Sequence, residues 1–379
     1  MSAPRLEVDL EKIRHNASAL VSQLRGHGIS VTGVTKACLG EPRFANALLG
    51  AGVRGLGDSR IENIEAMRRA GITAPMTLIR SPMPSQAGRV VAHADISFNT
   101  ELDVISALST AAQRAGRRHG VVLMVEMGDL REGIMPGDLQ ETVRAALRFP
   151  NIDLKGIGTN LACQSGVSPD AGNMSDLSRL ADLLDEAFGL VTRLVSGGNS
   201  SNLKWALSSE KAGRVNNLRL GESILLGLDP LDRQPIEGLY TNAISLVAEV
   251  IEAKTKPSRP WGTIGQAAFG TMPVSGKDGG SDFRTILALG RQDIDPLGLT
   301  AAPGIEVLGA SSDHLMVDTG RSYVTAGSEM TFQLNYSALL RAMTSPFVTK
   351  TYSLPAGQGA FETRMVPGPR SSEELHQWH

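Results

Sequence analysis

Lys36 closes the apolar run VTGVTK, and a lysine desolvated at such a place can lose its proton and attack a carbonyl as a neutral amine. Other polar residues end comparable runs. They are Asp58 and Ser59, Arg80, Asn99, Arg131, Asn160, the stretch Gly197-Gly198-Asn199-Ser200-Ser201, and Arg219. Together they offer one reactive amine, several arginines and a Gly/Ser-rich loop ahead of a helical pattern at 201–207. Backbone N–H groups of such a loop, with a positive helix end behind them, suit a phosphate. Arg219 lies inside an apolar run, so its guanidinium needs an anion or a strong acceptor to offset desolvation. The set contains neither a carboxylate pair nor a histidine cluster, which disfavours two-carboxylate glycoside hydrolysis and metal hydrolysis; no metal is expected. GxGxxG after the first strand and GxxxxGK[ST] are both missing, so neither a dinucleotide fold nor a P-loop is supported. Plainer readings stay open at this level: Lys36 as a solvent-facing lysine, GGNSS as an ordinary turn.

Something must hold these residues together, and the rhythm of the chain indicates what. From about residue 5 to 228 short apolar runs (6–10, 31–36, 53–59, 76–80, 95–99, 121–127, 154–160, 193–200 and 216–227) alternate with helix-like stretches such as 11–24, 60–69, 101–115 and 171–190. Buried parallel strands read this way, with polar residues at their C-terminal ends. Roughly eight such units in this length match a (β/α)8 TIM-like barrel, whose active sites lie at the strand ends. A doubly wound open sheet shares the alternation. After residue 234 the pattern changes to alternating strands separated by Gly/Pro-rich connections, with one helical pattern at 336–343. The division expected is therefore a barrel over 1–234 and a β-rich C-terminal domain over 235–379. A flexible loop is expected at 275–280, and little packing in the tail after 366.

Composition narrows the function classes. The 379 residues carry 37 Lys+Arg against 39 Asp+Glu, a formal charge of −2, which argues against nucleic-acid or membrane-surface partners. No apolar run is long enough to cross a bilayer, and the N-terminus is charged by residue 5, so a cytoplasmic protein is expected. Two cysteines, Cys38 and Cys163, cannot build a disulfide scaffold. Both read as small filler close to site positions.

Four motifs carry a resemblance: VTKA at 34–37, MGDLREGIMP at 127–136, SGGNSSNL at 196–203 and NNLRLGESILLG at 216–227. With ASSDHLMVD at 310–318, the chain resembles the alanine-racemase-type, fold type III pyridoxal-phosphate enzymes, nearest to the ornithine/lysine racemase branch. The resemblance implies that Lys36 holds pyridoxal phosphate through its amine. It implies a phosphate loop of Asn199, Ser200 and Ser201, joined by the amides around Gly221 and Glu222. Arg131 falls near the substrate carboxylate, Asn160 beside it, and Arg219 opposite the pyridine nitrogen. A guanidinium can only donate there, which keeps that nitrogen unprotonated and favours return of the proton to Cα over transamination. Racemisation of an amino acid in a head-to-tail homodimer is the function implied.

The chain also departs from the family pattern. Gly40 stands where a tyrosine is usual, Asn160 where a histidine is expected, and Ile264 about where the opposite-face tyrosine of alanine racemase lies. Two-base racemisation needs a proton donor on each face of Cα. Asp313 and His314, in the β domain of the partner, are the replacement expected. A buried strand histidine is the competing reading of His314. A cationic substrate such as ornithine or lysine would want a carboxylate, and Asp282, Asp293 and Asp295 are available. Three other functions compete with racemisation: a non-catalytic pyridoxal-phosphate homeostasis protein, against which the extra β domain weighs, a type III pyridoxal-phosphate aldolase or dehydratase, and a cofactor-free Schiff-base aldolase on the same barrel.

Overall fold

The computed structural model describes residues 3–189, 191–208, 212–269, 280–320, 324–353 and 362–364. The expected loop at 275–279 and the tail after 366 lie outside them. The chain divides into two compact units, Glu11–Thr241 and Met1–Leu10 with Asn242–His379.

The first unit is the barrel. Its strands are β2 (Ser30–Val34), β3 (Gly55–Asp58), β4 (Met76–Leu78), β5 (Ile96–Asn99), β6 (His119–Met124), β7 (Ile152–Gly158), β8 (Leu194–Gly198) and β9 (Asn217–Leu220). All pair in parallel, and β2 closes on β9 through Ser30↔Asn217 to Gly33↔Leu220, which removes the open-sheet alternative. Strands β3, β6 and β9 are buried at every residue, as expected when helices cover one face and the barrel interior the other. The helices are amphipathic. In Leu10–Gly26, Ile13, Ala17, Leu20 and Leu24 are fully buried at three- and four-residue spacing. Ala171–Phe188 starts at a reciprocal cap in which Asp170 and Asn173 each accept the other's backbone N–H.

The first apolar run is not a barrel strand, contrary to the sequence reading. β1 (Arg5–Asp9) lies in the other unit, between β10 (Ile244–Pro257), antiparallel, and β16 (Thr349–Ser353), parallel. Its burial explains this. Leu6 and Val8 are buried while Glu7 and Asp9 are half-buried, the period-two pattern of a sheet with one covered face.

The rest of that sheet comes from β11 (Ser281–Leu287), β12 (Leu299–Thr300), β13 (Glu306–Ala310), β14 (Leu315–Asp318), β15 (Glu329–Leu334) and β17 (Glu362–Arg364), the last antiparallel to β16. The order runs β13-β14-β11-β10-β1-β16, with β15 also on β10. The helix Tyr336–Thr344 is capped by Asn335, whose side chain accepts from Ala338 N at 2.9 Å. Among the described residues no helix is long and apolar enough to cross a membrane.

Candidate functional site

The C-terminal ends of β2, β6, β7, β8 and β9 bring most of the expected residues together. Lys36 follows β2 and opens a single 3-10 turn, Lys36–Cys38. Its position is fixed by Thr35, which donates Oγ1 to Asp58 Oδ2 at 2.7 Å and its backbone N–H to Gly57 O at 2.9 Å. Asp58 is fully buried and also accepts from Arg60 N and Asn63 Nδ2, both at 2.9 Å. Burial pushes its carboxyl up, against the pull of these donors. The chain then turns through Leu39 and Gly40 at positive φ, 55° and 65°. A Cβ on Gly40 would stand 2.8 Å from Asn63 Cβ and backbone O, so this turn has no room for the tyrosine of the family pattern.

Arg219 is the centre of the arrangement. Nη1 donates to Ser196 Oγ at 2.6 Å, and Nη2 to Thr159 O at 2.8 Å and Asn160 Oδ1 at 3.2 Å. Its guanidinium carbon sits 5.0 Å from the centre of the Phe98 ring. None of these partners is charged. Burial, reinforced by the nearby charge of Arg131, pulls the guanidinium down to about 10, so it remains a cation and a donor at neutral pH. Asn160, in the histidine's place, also accepts from Asn199 Nδ2 at 3.1 Å, linking the ends of β7 and β8.

The residues expected to form a phosphate loop are hydrogen-bonded to one another. Asn199 accepts from Ser201 N at 2.8 Å, and Asn202 accepts from Asn199 N at 3.1 Å. Ser200 Oγ receives Gly221 N at 3.4 Å, Ser223 N at 3.2 Å and Ser223 Oγ at 3.0 Å. Two buried atoms here have no hydrogen-bond partner, Ser201 Oγ and Asn160 Nδ2. Buried polar groups are rarely left so, and an oxygen-rich anion would satisfy such atoms. Gly221 packs against Val34, which places Glu222 beside the Lys36 strand end. Burial pushes the Glu222 carboxyl up, opposed by its ion pair with Arg233 and by the charge of Lys36.

Arg131 lies on the loop after β6, paired with its neighbour Glu132. That loop is clamped by Asp129, a buried carboxylate accepting the N–H groups of Cys163, Gln164 and Ser165 at 3.1, 2.9 and 3.0 Å. Those amides outweigh burial and hold the Asp129 carboxyl below its usual range. Cys163 is exposed and accepts from Asn199 Nδ2 at 3.5 Å, whereas Cys38 is buried and its thiol is pushed well up by desolvation. Sequence reasoning missed Ser196, Thr159, Ser223 and Asp129. Ser196, Ser223 and Asp129 lie within the motifs at 196–203, 216–227 and 127–136, whereas Thr159 lies in none of them.

His314 and Asp313 belong to the other unit, in the turn between β13 and β14. Asp313 Oδ1 lies 2.8 Å from His314 Nδ1, and both side chains are exposed, so His314 is not a buried strand histidine. Ile264 is exposed. The carboxylates considered for a cationic substrate are engaged elsewhere. Asp293 is buried and accepts from Ser345 Oγ at 2.7 Å, Asp295 accepts from Ser337 Oγ at 2.6 Å, and Asp282 faces Arg284 at 3.6 Å.

A family model described as the alanine racemase N-terminal domain matches residues 8–230. The chain is 39% identical over 354 residues to a lysine racemase of Thermotoga maritima, covering 93% of this chain and 99% of the relative. It is 38% identical over 351 residues to an ornithine racemase of Acetoanaerobium sticklandii, with 92% and 99% covered. Among solved structures, alanine racemase from Streptomyces lavendulae superposes with a TM-score of 0.72 at 18% identity, covering 94% of this chain and 99% of that one. D-threonine aldolase from Filomicrobium marinum gives 0.72 at 16% identity, with 93% and 91% covered. At such identities the likeness concerns the fold.

Proposed function

This chain belongs to the alanine racemase family, and on that premise we propose how its own residues carry out the reaction. It is an amino-acid racemase, an isomerase of a family that works with pyridoxal phosphate. We assign lysine and ornithine as substrates on the strength of the two relatives named for them.

The donor set fits that cofactor: an amine at Lys36, hydroxyls and amides around Asn199, Ser200, Ser201, Gly221 and Glu222, and unpartnered atoms at Ser201 and Asn160. Bound there, pyridoxal phosphate supplies an electron sink that acidifies Cα–H of an amino acid. Lys36 anchors it and moves the proton on one face of Cα. Arg219, which can only donate, would face the ring nitrogen and keep it unprotonated, an arrangement that would weaken the sink and favour return of the proton to carbon. Arg131 orients the substrate carboxylate, with Asn160 beside it. For the opposite face, Asp313 fixes the Nδ1 proton of His314, so that Nε2 takes up and returns the proton. That pair comes from the partner in a head-to-tail dimer, in the cytoplasm.

The observation carrying this reading is the buried Arg219 with only uncharged acceptors around it. The test is chiral chromatography of optically pure lysine, ornithine and alanine incubated with the protein and pyridoxal phosphate. Formation of the other enantiomer is expected. Cleavage to aldehyde and glycine from β-hydroxy amino acids, with no racemisation, would move the protein to the aldolases. His314→Ala should suppress α-hydrogen exchange for one enantiomer more than for the other, and equal small losses would remove His314 from the reaction. Mixing Lys36→Ala with His314→Ala should restore activity through hybrid dimers.

A further inference from the structure

The carboxylates around the strand ends are bound in two ways. Asp58 holds Thr35, Arg60 and Asn63, and Asp129 holds three amides of the loop after β7. Glu126 accepts from the amides of Gly128 and Leu130, and Glu222 pairs with Arg233. Each of these fixes local structure. Glu132 instead accepts both Nε and Nη2 of Arg131, the residue assigned above to the substrate carboxylate.

The arrangement cannot persist once substrate is bound. An arginine that grips a carboxylate through its fork must give up another carboxylate held the same way. Glu132 cannot follow it far, because the loop is pinned at both ends. Ile134 N donates to Met124 O at 2.8 Å and Glu126 N to Ile134 O at 2.9 Å. A Cβ on Gly133 would come within 2.3 Å of Glu126 N, so the backbones are already in close contact. A half-buried carboxylate that loses its cation must find another.

We infer that Glu132 selects the substrate's side chain: as Arg131 turns to the α-carboxylate, Glu132 passes to the ω-ammonium of a diamino acid. One internal ion pair is exchanged for two pairs with substrate. A neutral side chain replaces only Arg131's half of the exchange and strands Glu132, which is discrimination by an unpaired charge. The charges of both Arg131 and Glu132 are felt by Arg219, so the pair lies close to the centre of the site. The inference rests on the racemase reading with Arg131 at the carboxylate.

Steady-state racemisation of lysine, ornithine and norleucine by the holoenzyme, wild type against Glu132→Gln, tests it. Norleucine matches lysine in length without the charge. KM for lysine and ornithine should rise about 10- to 100-fold, the range for losing one charge-assisted hydrogen bond, while kcat/KM for norleucine rises. Glu132→Asp, which keeps the charge, should recover part of the lysine preference. A parallel fall for all three substrates would make Glu132 a support for Arg131 and overturn the inference, as would no change for any. A wild-type protein that racemises none of the three overturns the racemase reading and this inference with it; normal wild-type turnover with a Glu132→Gln variant that keeps the preference for lysine and ornithine over norleucine overturns the inference alone.

Discussion

The two ends of the barrel treat their arginines differently. Where the strands begin, Arg68 donates to the carbonyls of His93, Ile72 and Ala74 at 3.0, 2.9 and 3.0 Å and to Asp95 at 2.8 Å. It lines a cleft of about 380 Å³ with Thr73, His93, Asp95 and Arg117. Where the strands end, Arg219 donates only to uncharged oxygens and is buried. The first charge is neutralised by a carboxylate and half-exposed. The second keeps its field in a place where desolvation is costly. The uncompensated charge, with unpartnered Ser201 Oγ and Asn160 Nδ2 near it, marks the second as the working end.

The contrast can be tested from both sides. Lys36→Ala should cut racemisation by about 10³-fold or more, the scale of removing a positioned acid–base group, and abolish absorbance from protein-bound cofactor. Borohydride reduction and peptide mapping of the wild type should place the label on Lys36, and a label on Lys204 would dissolve the assignment. Arg219→Glu should lower racemisation on the order of 10²- to 10³-fold while pyridoxamine phosphate becomes detectable in turnover mixtures. Normal racemisation without that by-product would mean that the charge at this end is incidental.

At the other end the effects should fall on stability instead. His119 opens β6, is buried, and approaches Ser97 Oγ at 2.8 Å through Nε2. Desolvation by burial lowers it to about 4 from 6.5. Its folded-state pKa is depressed, so the stability it confers is full above 6.5 and is lost as pH falls through 4. Denaturant titrations should show about 3 kcal/mol of loss across that window. His119→Gln should flatten it. Arg68→Ala should cost about 2 kcal/mol of stability with kcat unchanged, and a fall in kcat would bring that end of the barrel into the reaction.

The barrel was legible because eight of its runs are continuous and apolar, with polar residues at their ends. Lys36 and Arg219 stood out by residue type alone. β1 was misplaced although its strict alternation, Leu6 and Val8 against Glu7 and Asp9, differed from the continuous burial of β3 or β6. Alternation belongs to a sheet with one covered face, and it was read as one more barrel strand. Asp129 lies within the motif at 127–136, but its clamping role was not readable there, since its three amide partners lie more than thirty residues away and only the fold brings them together. The aspartates of the C-terminal unit looked available because their serine partners, Ser337 and Ser345, are equally remote in sequence.

The place of β1 has a consequence for how the chain is made. Arg5–Asp9 leaves the ribosome before every barrel strand, yet its two neighbours are Ile244–Val247 and Thr349–Ser353. The barrel strands from Ser30 to Leu220 are all synthesised before either neighbour exists. For most of translation an alternating strand with one apolar face and both edges unpaired hangs from the growing polypeptide, a template for pairing with other nascent chains. Closing it needs contacts across more than two hundred residues, which slows the last step of folding. Deleting Arg5–Asp9 would therefore damage a unit whose other strands are made only after the barrel.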